Sequence, residues 1–249
     1  MVKRYIVLAM SVLLLTAWVF GNTAADLNKL FYEARRDRDR DKLFSVISEI
    51  EKNPNYSKDA RHLTILADCY LELATWGVPD KDKEKTLEKA RANAEAAIKI
   101  DPKNGRAHYI AGAAIGRLAQ YKGIIQSLFM LGDYDKYIDT AIKLLNENDE
   151  EERLYKTFAL IAKGMRDRDV PWPLNNYKRS EEMFKQALKL TPNYPNIYLE
   201  MGYLYLKTSD KQKAKEMFEK VIDSQPHPWL IKTHEEAVKD ARSELAKLK

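Results

Sequence analysis

From Pro195 to Pro226 the chain reads PNIYLEMGYLYLKTSDKQKAKEMFEKVIDSQP, and its apolar residues recur at helical rather than strand spacing. Tyr198, Met201, Gly202 and Tyr205 fall three, one and three apart, along one helix face. After a polar turn at Thr208–Asp210, Ala214, Phe218 and Val221 recur four and three apart, and Pro226 stops the run. The pattern predicts two antiparallel helices. Small residues at Gly202 and Ala214 let the helices approach closely, and the bulky neighbours fill the space between successive hairpins.

The same pattern recurs upstream with longer connections. Phe184 and Ala187 precede Pro192 as Phe218 and Val221 precede Pro226, and their partner helix spans Leu154 to Met165. An insert, Val170-Pro171-Trp172-Pro173-Leu174, separates the two. A helix with Ile138 and Ala141 breaks near Asn146; its partner runs from Arg106 to Gln120 and carries Gly112 in the small-residue place. The extra segment YKGIIQSLFMLG (Tyr121 to Gly132) predicts a short apolar helix between them. Ala90, Ala94, Ala97 and Pro102 pair with Leu63, Leu66, Ala67 and Tyr70 across the insert Ala74–Pro79, which holds Trp76. Leu27–Ala34 and Leu43–Ile50 predict a half-formed first pair, and Thr233–Leu248 a closing cap.

In residue type and spacing these hairpins resemble the tetratricopeptide repeat (TPR), and Pro192 and Pro226 lie 34 residues apart, that family's period. The resemblance implies an all-α fold over residues 26–249: a right-handed superhelix of antiparallel helix pairs with inserts and a C-terminal capping helix. Inserts recurring at one place in each repeat emerge on one face, often the binding face. Within the TPR class, Ala107–Gly132 is similar to exported bacterial TPR proteins that include the T-component of tripartite ATP-independent periplasmic (TRAP) transporters. The likeness rests on Gly112, Gly116, Arg117, Gln120, Lys122, Gly123, Ser127 and Leu128. It implies a trimer that docks a periplasmic substrate-binding protein and encloses a pore for a hydrophobic ligand. The lipid-modified cysteine usual in that group is missing from this chain.

The first helix of each TPR hairpin lines the concave groove. Its outward positions here are Thr64 and Asp68, Tyr109 and Ala113, Lys156 and Leu160, Leu199 and Tyr203. No Lys–Asn pair suited to clamping a carboxylate stands among them. Tyr109, Arg117, Lys156, Tyr203 and Leu206 offer aromatic and aliphatic surface with two cations, for an apolar peptide face or a lipid-like ligand with an acidic end. The plainer reading is that these rings and leucines pack between hairpins. Trp76 and Trp172 sit beside proline in corresponding inserts and serve either as partner contacts or as seals on the solenoid.

Composition narrows the class of protein rather than the partner. With 32% charged residues and a net charge of +5, of which Lys3 and Arg4 supply two, the surface is mixed and does not argue for nucleic acid. The single cysteine, Cys69, permits no internal disulfide. Asp37, Asp39 and Asp41 lack the glycine and glutamate of a calcium loop, and His234 has no partner for a zinc helix. No phosphate loop or nucleophile signature occurs, so the sequence proposes neither cofactor, metal site nor catalysis. The N-terminus differs from the rest. Lys3 and Arg4 precede the uncharged run Tyr5–Phe20 and the small residues Gly21, Thr23, Ala24 and Ala25, the plan of a secretory signal cleaved after Gly21 or Ala25. Retained, residues 1–25 make a membrane anchor.

Overall fold

The computed structural model describes residues 22–248. Most of the predicted signal therefore lies outside the described residues. Eleven α-helices are described: α1 (Ala24–Asp37), α2 (Arg40–Lys52), α3 (Ala60–Glu72), α4 (Asp80–Ile100), α5 (Gly105–Leu118), α6 (Ile124–Leu144), α7 (Glu150–Asp169), α8 (Tyr177–Leu190), α9 (Pro195–Lys207), α10 (Lys211–Asp223) and α11 (Ile231–Lys247). Among the described residues there is no strand, and no helix is long and apolar enough to cross a membrane.

Side-chain caps set most of the helix starts. Thr23, Asp39, Asp59, Asn104, Asp149, Asn176 and Asp210 each accept a backbone N–H from the first turn that follows, and each such cap contributes about 1 kcal/mol. At α1, Thr23 and Asp26 form a reciprocal capping box. Pairs α1–α2, α3–α4, α5–α6, α7–α8 and α9–α10 are antiparallel hairpins. The first is complete rather than half-formed: the charged run Arg35–Lys42 supplies the end of α1, a left-handed Arg38 (φ 52°) and the Asp39 cap of α2.

Close approach within a hairpin occurs where glycine was expected: a Cβ on Gly112 would stand 2.7 Å from the Ile138 side chain, and one on Gly202 would strike the Phe218 ring. Gly164, not singled out by the spacing, is the same case, its Cβ 2.5 Å from the Phe184 ring. One apolar core runs from Leu27 to Ala241, with Tyr155, Phe31, Phe184 and Phe218 its largest enclosed side chains.

Two of the three inserts lengthen helices, while Val170–Leu174 forms a non-helical loop. The apolar segment after Lys122 is not a helix of its own; it is the first part of α6, which runs 21 residues without a break. The Trp76 insert winds on from α3 as a wider helical turn, Leu73–Gly77. All three inserts join the end of a hairpin's first helix to the start of its second, so all three emerge at one edge of the array.

The first helices α1, α3, α5, α7 and α9 touch one another in succession, α9 touches α11, and α11 touches α1. The solenoid therefore curls until its last helix meets its first. This closure decides what the inner face can do.

Candidate functional site

The inner face is filled by the chain's own side chains. Arg106 at the start of α5 is nearly buried, and its guanidinium reaches three helices. Nε donates to Asp68 Oδ2 of α3 at 2.8 Å, and Nη1 donates to Asn28 Oδ1 of α1 and Glu151 Oε1 of α7, both at 2.7 Å. Asn28 Nδ2 donates in turn to Glu151 Oε2 at 3.0 Å, directly across the ring. The Tyr155 hydroxyl bonds the buried Asp68 carboxylate. The Arg106 cation also lies 4.8, 5.3 and 5.6 Å from the ring centres of Tyr155, Phe31 and Tyr32.

A second arginine repeats the arrangement nearer the other end of α1. Arg35 Nε lies 2.9 Å from Glu72 Oε1, and its guanidinium sits 4.9 Å from the centre of the Phe158 ring on α7. Burial opposes the charge on Arg35, but Glu72, Tyr155 and Asp68 around it leave its pKa raised. Burial pushes the Asp68 carboxyl above its ordinary range, against the pull of Arg106, Arg35 and the Tyr155 hydroxyl. Such a cluster is costly to bury and holds only when every charge keeps its partner.

Two contacts close the seam between the chain's ends. The Tyr32 ring stacks on Trp229 at 4.6 Å between centres, and Arg38 pairs through both terminal nitrogens with Glu236. Beside them His227 packs edge-on against Trp229 at 5.5 Å.

The predicted groove residues are distributed around this cluster. Tyr109 packs within it, its ring 5.7 and 5.8 Å from Tyr155 and Phe158, and burial pushes its hydroxyl up to about 12. Arg117 donates to the Thr75 hydroxyl beside the first insert. Lys156 points elsewhere, 3.4 Å from Glu147. Tyr203 lies 5.7 Å from Phe218 with Arg168 at 5.8 Å, and Leu206 is half-buried against the core. Of these five, Tyr109 alone has a contact described above to the central Arg106–Asp68–Tyr155 group.

The two insert tryptophans part company. The Trp76 indole N–H donates to Glu72 at 2.8 Å, which ties it to Arg35 and the inner cluster. Trp172 is 84% exposed. On the same insert edge Phe129 and Ile125 are 83% and 71% exposed, accompanied by Tyr121, Leu128 and Leu174. Ile125, Leu128 and Phe129 stand three and four apart, so they share one face of the overhanging first turns of α6. Among the described residues this is where most of the exposed large apolar side chains gather.

Sequence reasoning named Asp68 but missed Arg35, Glu72, Arg106, Glu151 and Phe158. The available signal was Asp68 and Glu72, two acids four apart in the otherwise apolar α3. Arg35 was hidden in the run RRDRDRDK, which reads as solvated.

Hairpins with this spacing and stacking define a TPR-like helical-repeat protein. Residues 183–216 match the tetratricopeptide repeat directly. Residues 27–155, just over half of the chain, match the family described as Regulator of microtubule dynamics protein 1-3, and the chain belongs to that family. Ala107–Gly132, which carried the transporter resemblance, lies inside this matched stretch. No curated protein matches the chain. Among solved structures it is similar to TTC0263, a thermophilic TPR protein in Thermus thermophilus, with 17% identity and a TM-score of 0.62 over 91% of this chain and 98% of that one. It is also similar to a chain of the APC/C hetero-tetramer Cut9–Hcn1, with 14% identity and a TM-score of 0.53 over 88% of this chain and 38% of the other. At such identities the likeness shows the fold alone.

Proposed function

We propose that this protein is a non-enzymatic docking scaffold that holds a protein partner on its insert edge. The observation that carries this reading is the contrast between a filled inner face and an edge where Phe129, Ile125 and Trp172 lie open. Exposed aromatic and aliphatic side chains grouped on projecting turns favour a protein contact. The family's name connects its members with microtubule dynamics, which favours a protein partner over nucleic acid.

The N-terminal plan Lys3–Ala25 supports export or anchoring of this scaffold in a cell envelope. Cleavage after Gly21 keeps the Thr23–Asp26 capping box that starts α1, whereas cleavage after Ala25 removes Thr23. The mature protein then begins at Asn22, which N-terminal sequencing tests. A start at Asp26 counts against this reading, and an intact Met1 leaves an anchor.

Docking is tested by placing a photo-crosslinking phenylalanine analogue at position 129, 172 or 203 of the full chain in its native cells. Discrete adducts from 129 and 172, and none from 203, are expected. Adducts from 203 alone return the function to the groove. A trimer carrying a bound apolar molecule, seen by native mass spectrometry, would favour the accessory-subunit role in a TRAP-type transporter. A bare monomer favours a general envelope adaptor.

A further inference from the structure

The segment Ser224–Leu230 joins α10 to α11 without regular helix. Its Gln225–Pro228 stretch crosses the start of α7 and, with Glu150, Arg153 and Tyr194, lines a hollow of ≈ 320 Å³. The next residue, Trp229, stacks on Tyr32 of α1. What fixes that indole is local. The Trp229 backbone N–H donates to Nδ1 of His227 at 3.3 Å, and the imidazole stands edge-on to the indole. A ring nitrogen that accepts a hydrogen bond carries no proton.

We propose that His227 is the trigger of an acid-sensitive latch, whose protonation frees Trp229 from Tyr32 and opens the ring between α1 and α11. Protonated, Nδ1 becomes a donor facing the Trp229 N–H, so the contact changes from attraction to repulsion. The new charge also stands near Arg35 of α1 and Arg153 of α7, with Glu150 of α7 as its one acidic neighbour among the charges acting on it. Burial holds the imidazole below its ordinary range; Glu150 opposes it, and Arg35 and Arg153 add smaller pushes in the lowering direction. A histidine that is harder to protonate in the closed ring than in the open one favours closure fully above its ordinary pKa. That contribution falls away as pH drops toward the lowered value.

The other groups at the seam include the Arg38–Glu236 pair, Asp37 of α1 with Lys232 of α11, the Tyr32 hydroxyl and His234 on α11, itself lowered mainly by burial. Arg38 and Glu236 are opposite charges that need no proton to pair. Opening uncovers Asp68, Glu72 and Glu151 beside Tyr155 and Phe158, a face that Asn28 and Arg35 of α1 now occupy. The latch is separate from the insert edge, so failure of either leaves the other standing.

Hydrogen exchange on the full chain at pH 7.5 and 5.0, corrected for the intrinsic pH effect on amide exchange, reads the latch directly. At pH 5.0 the amides of α1 and of residues 224–236 are expected to lose protection relative to pH 7.5, while those of α5–α8 keep theirs. His227→Gln retains a neutral acceptor and should stay protected at both pH values. Trp229→Ala should be open at both, and His234→Gln should behave as the parent. Should His227→Gln melt early at pH 7.5, His227→Asn gives the same readout. Equal protection of the parent at the two pH values overturns the latch. So does acid opening that survives in His227→Gln or His227→Asn.

Discussion

Trp76 and Trp172 occupy matching inserts, in the second and fourth hairpins, yet one is tied into the inner cluster and the other stands in solvent. The Trp76 insert continues α3 by a helical turn, which brings its indole back over Glu72, four residues earlier. The Trp172 insert carries Pro171 and Pro173, which cannot continue a helix, and the side chain is carried clear of the array. The same division separates two larger regions. The inner face, built from α1, α3, α5 and α7, joins its charged groups to one another, whereas among the described residues the insert edge leaves its apolar groups exposed. Repeat position alone therefore does not decide which side chains are exposed. Closure of the ring decides much of it, by covering the inner face.

The largest effect is expected at the centre of the inner face. Arg106→Met removes the cation that Asp68 and Glu151 share, leaving a buried carboxylate short of a partner, and should cost about 3–5 kcal/mol in urea unfolding. A loss under about 1 kcal/mol would mean that water already reaches Asp68 and that the inner face is open. Next comes the packing beneath it. Gly164→Ala puts a methyl group against the Phe184 ring and should destabilise by about 1–3 kcal/mol. An unchanged melting temperature would show that the α7–α8 hairpin has slack.

The turns of the first and last hairpins sharpen the contrast further. Ser209 (φ 63°) and Arg38 (φ 52°) are both left-handed residues between paired helices. Ser209→Gly should gain about 0.5–1 kcal/mol by relieving backbone strain. Arg38→Gly should gain less, because it also deletes the pair with Glu236 across the seam. Equal gains would show that this pair contributes nothing to closure. The smallest stability effect belongs to the edge. Phe129→Ser with Trp172→Ser should change unfolding by no more than about 0.5 kcal/mol, yet abolish crosslinked adducts formed from position 125. A marked loss of stability would assign these residues to the core instead.

The hairpins were legible because helical spacing and small residues at Gly112 and Gly202 are local signals. The capping helix α11 and the shared edge of the three inserts followed from the repeat itself. The central cluster was not legible in the same way. Arg35 and Glu72 come from different hairpins, Asn28 and Glu151 from opposite sides of the ring, and nothing in their spacing along the chain announces that they meet. Arg117 and Lys156 had the right chemistry and a groove-lining position, but their partners are Thr75 and Glu147.

The sequence by itself determined the all-helical class, the hairpins and their order, because periodicity, caps and turn residues act within about twenty residues of chain. Only the tertiary structure decided that the superhelix closes on itself. Curvature is the sum of small rotations at every hairpin interface, each set by side-chain volumes and insert lengths that no single repeat reveals. That sum brings Trp229 onto Tyr32 and Glu236 onto Arg38 and fills the groove, while Phe129, Ile125 and Trp172 stay exposed at the insert edge.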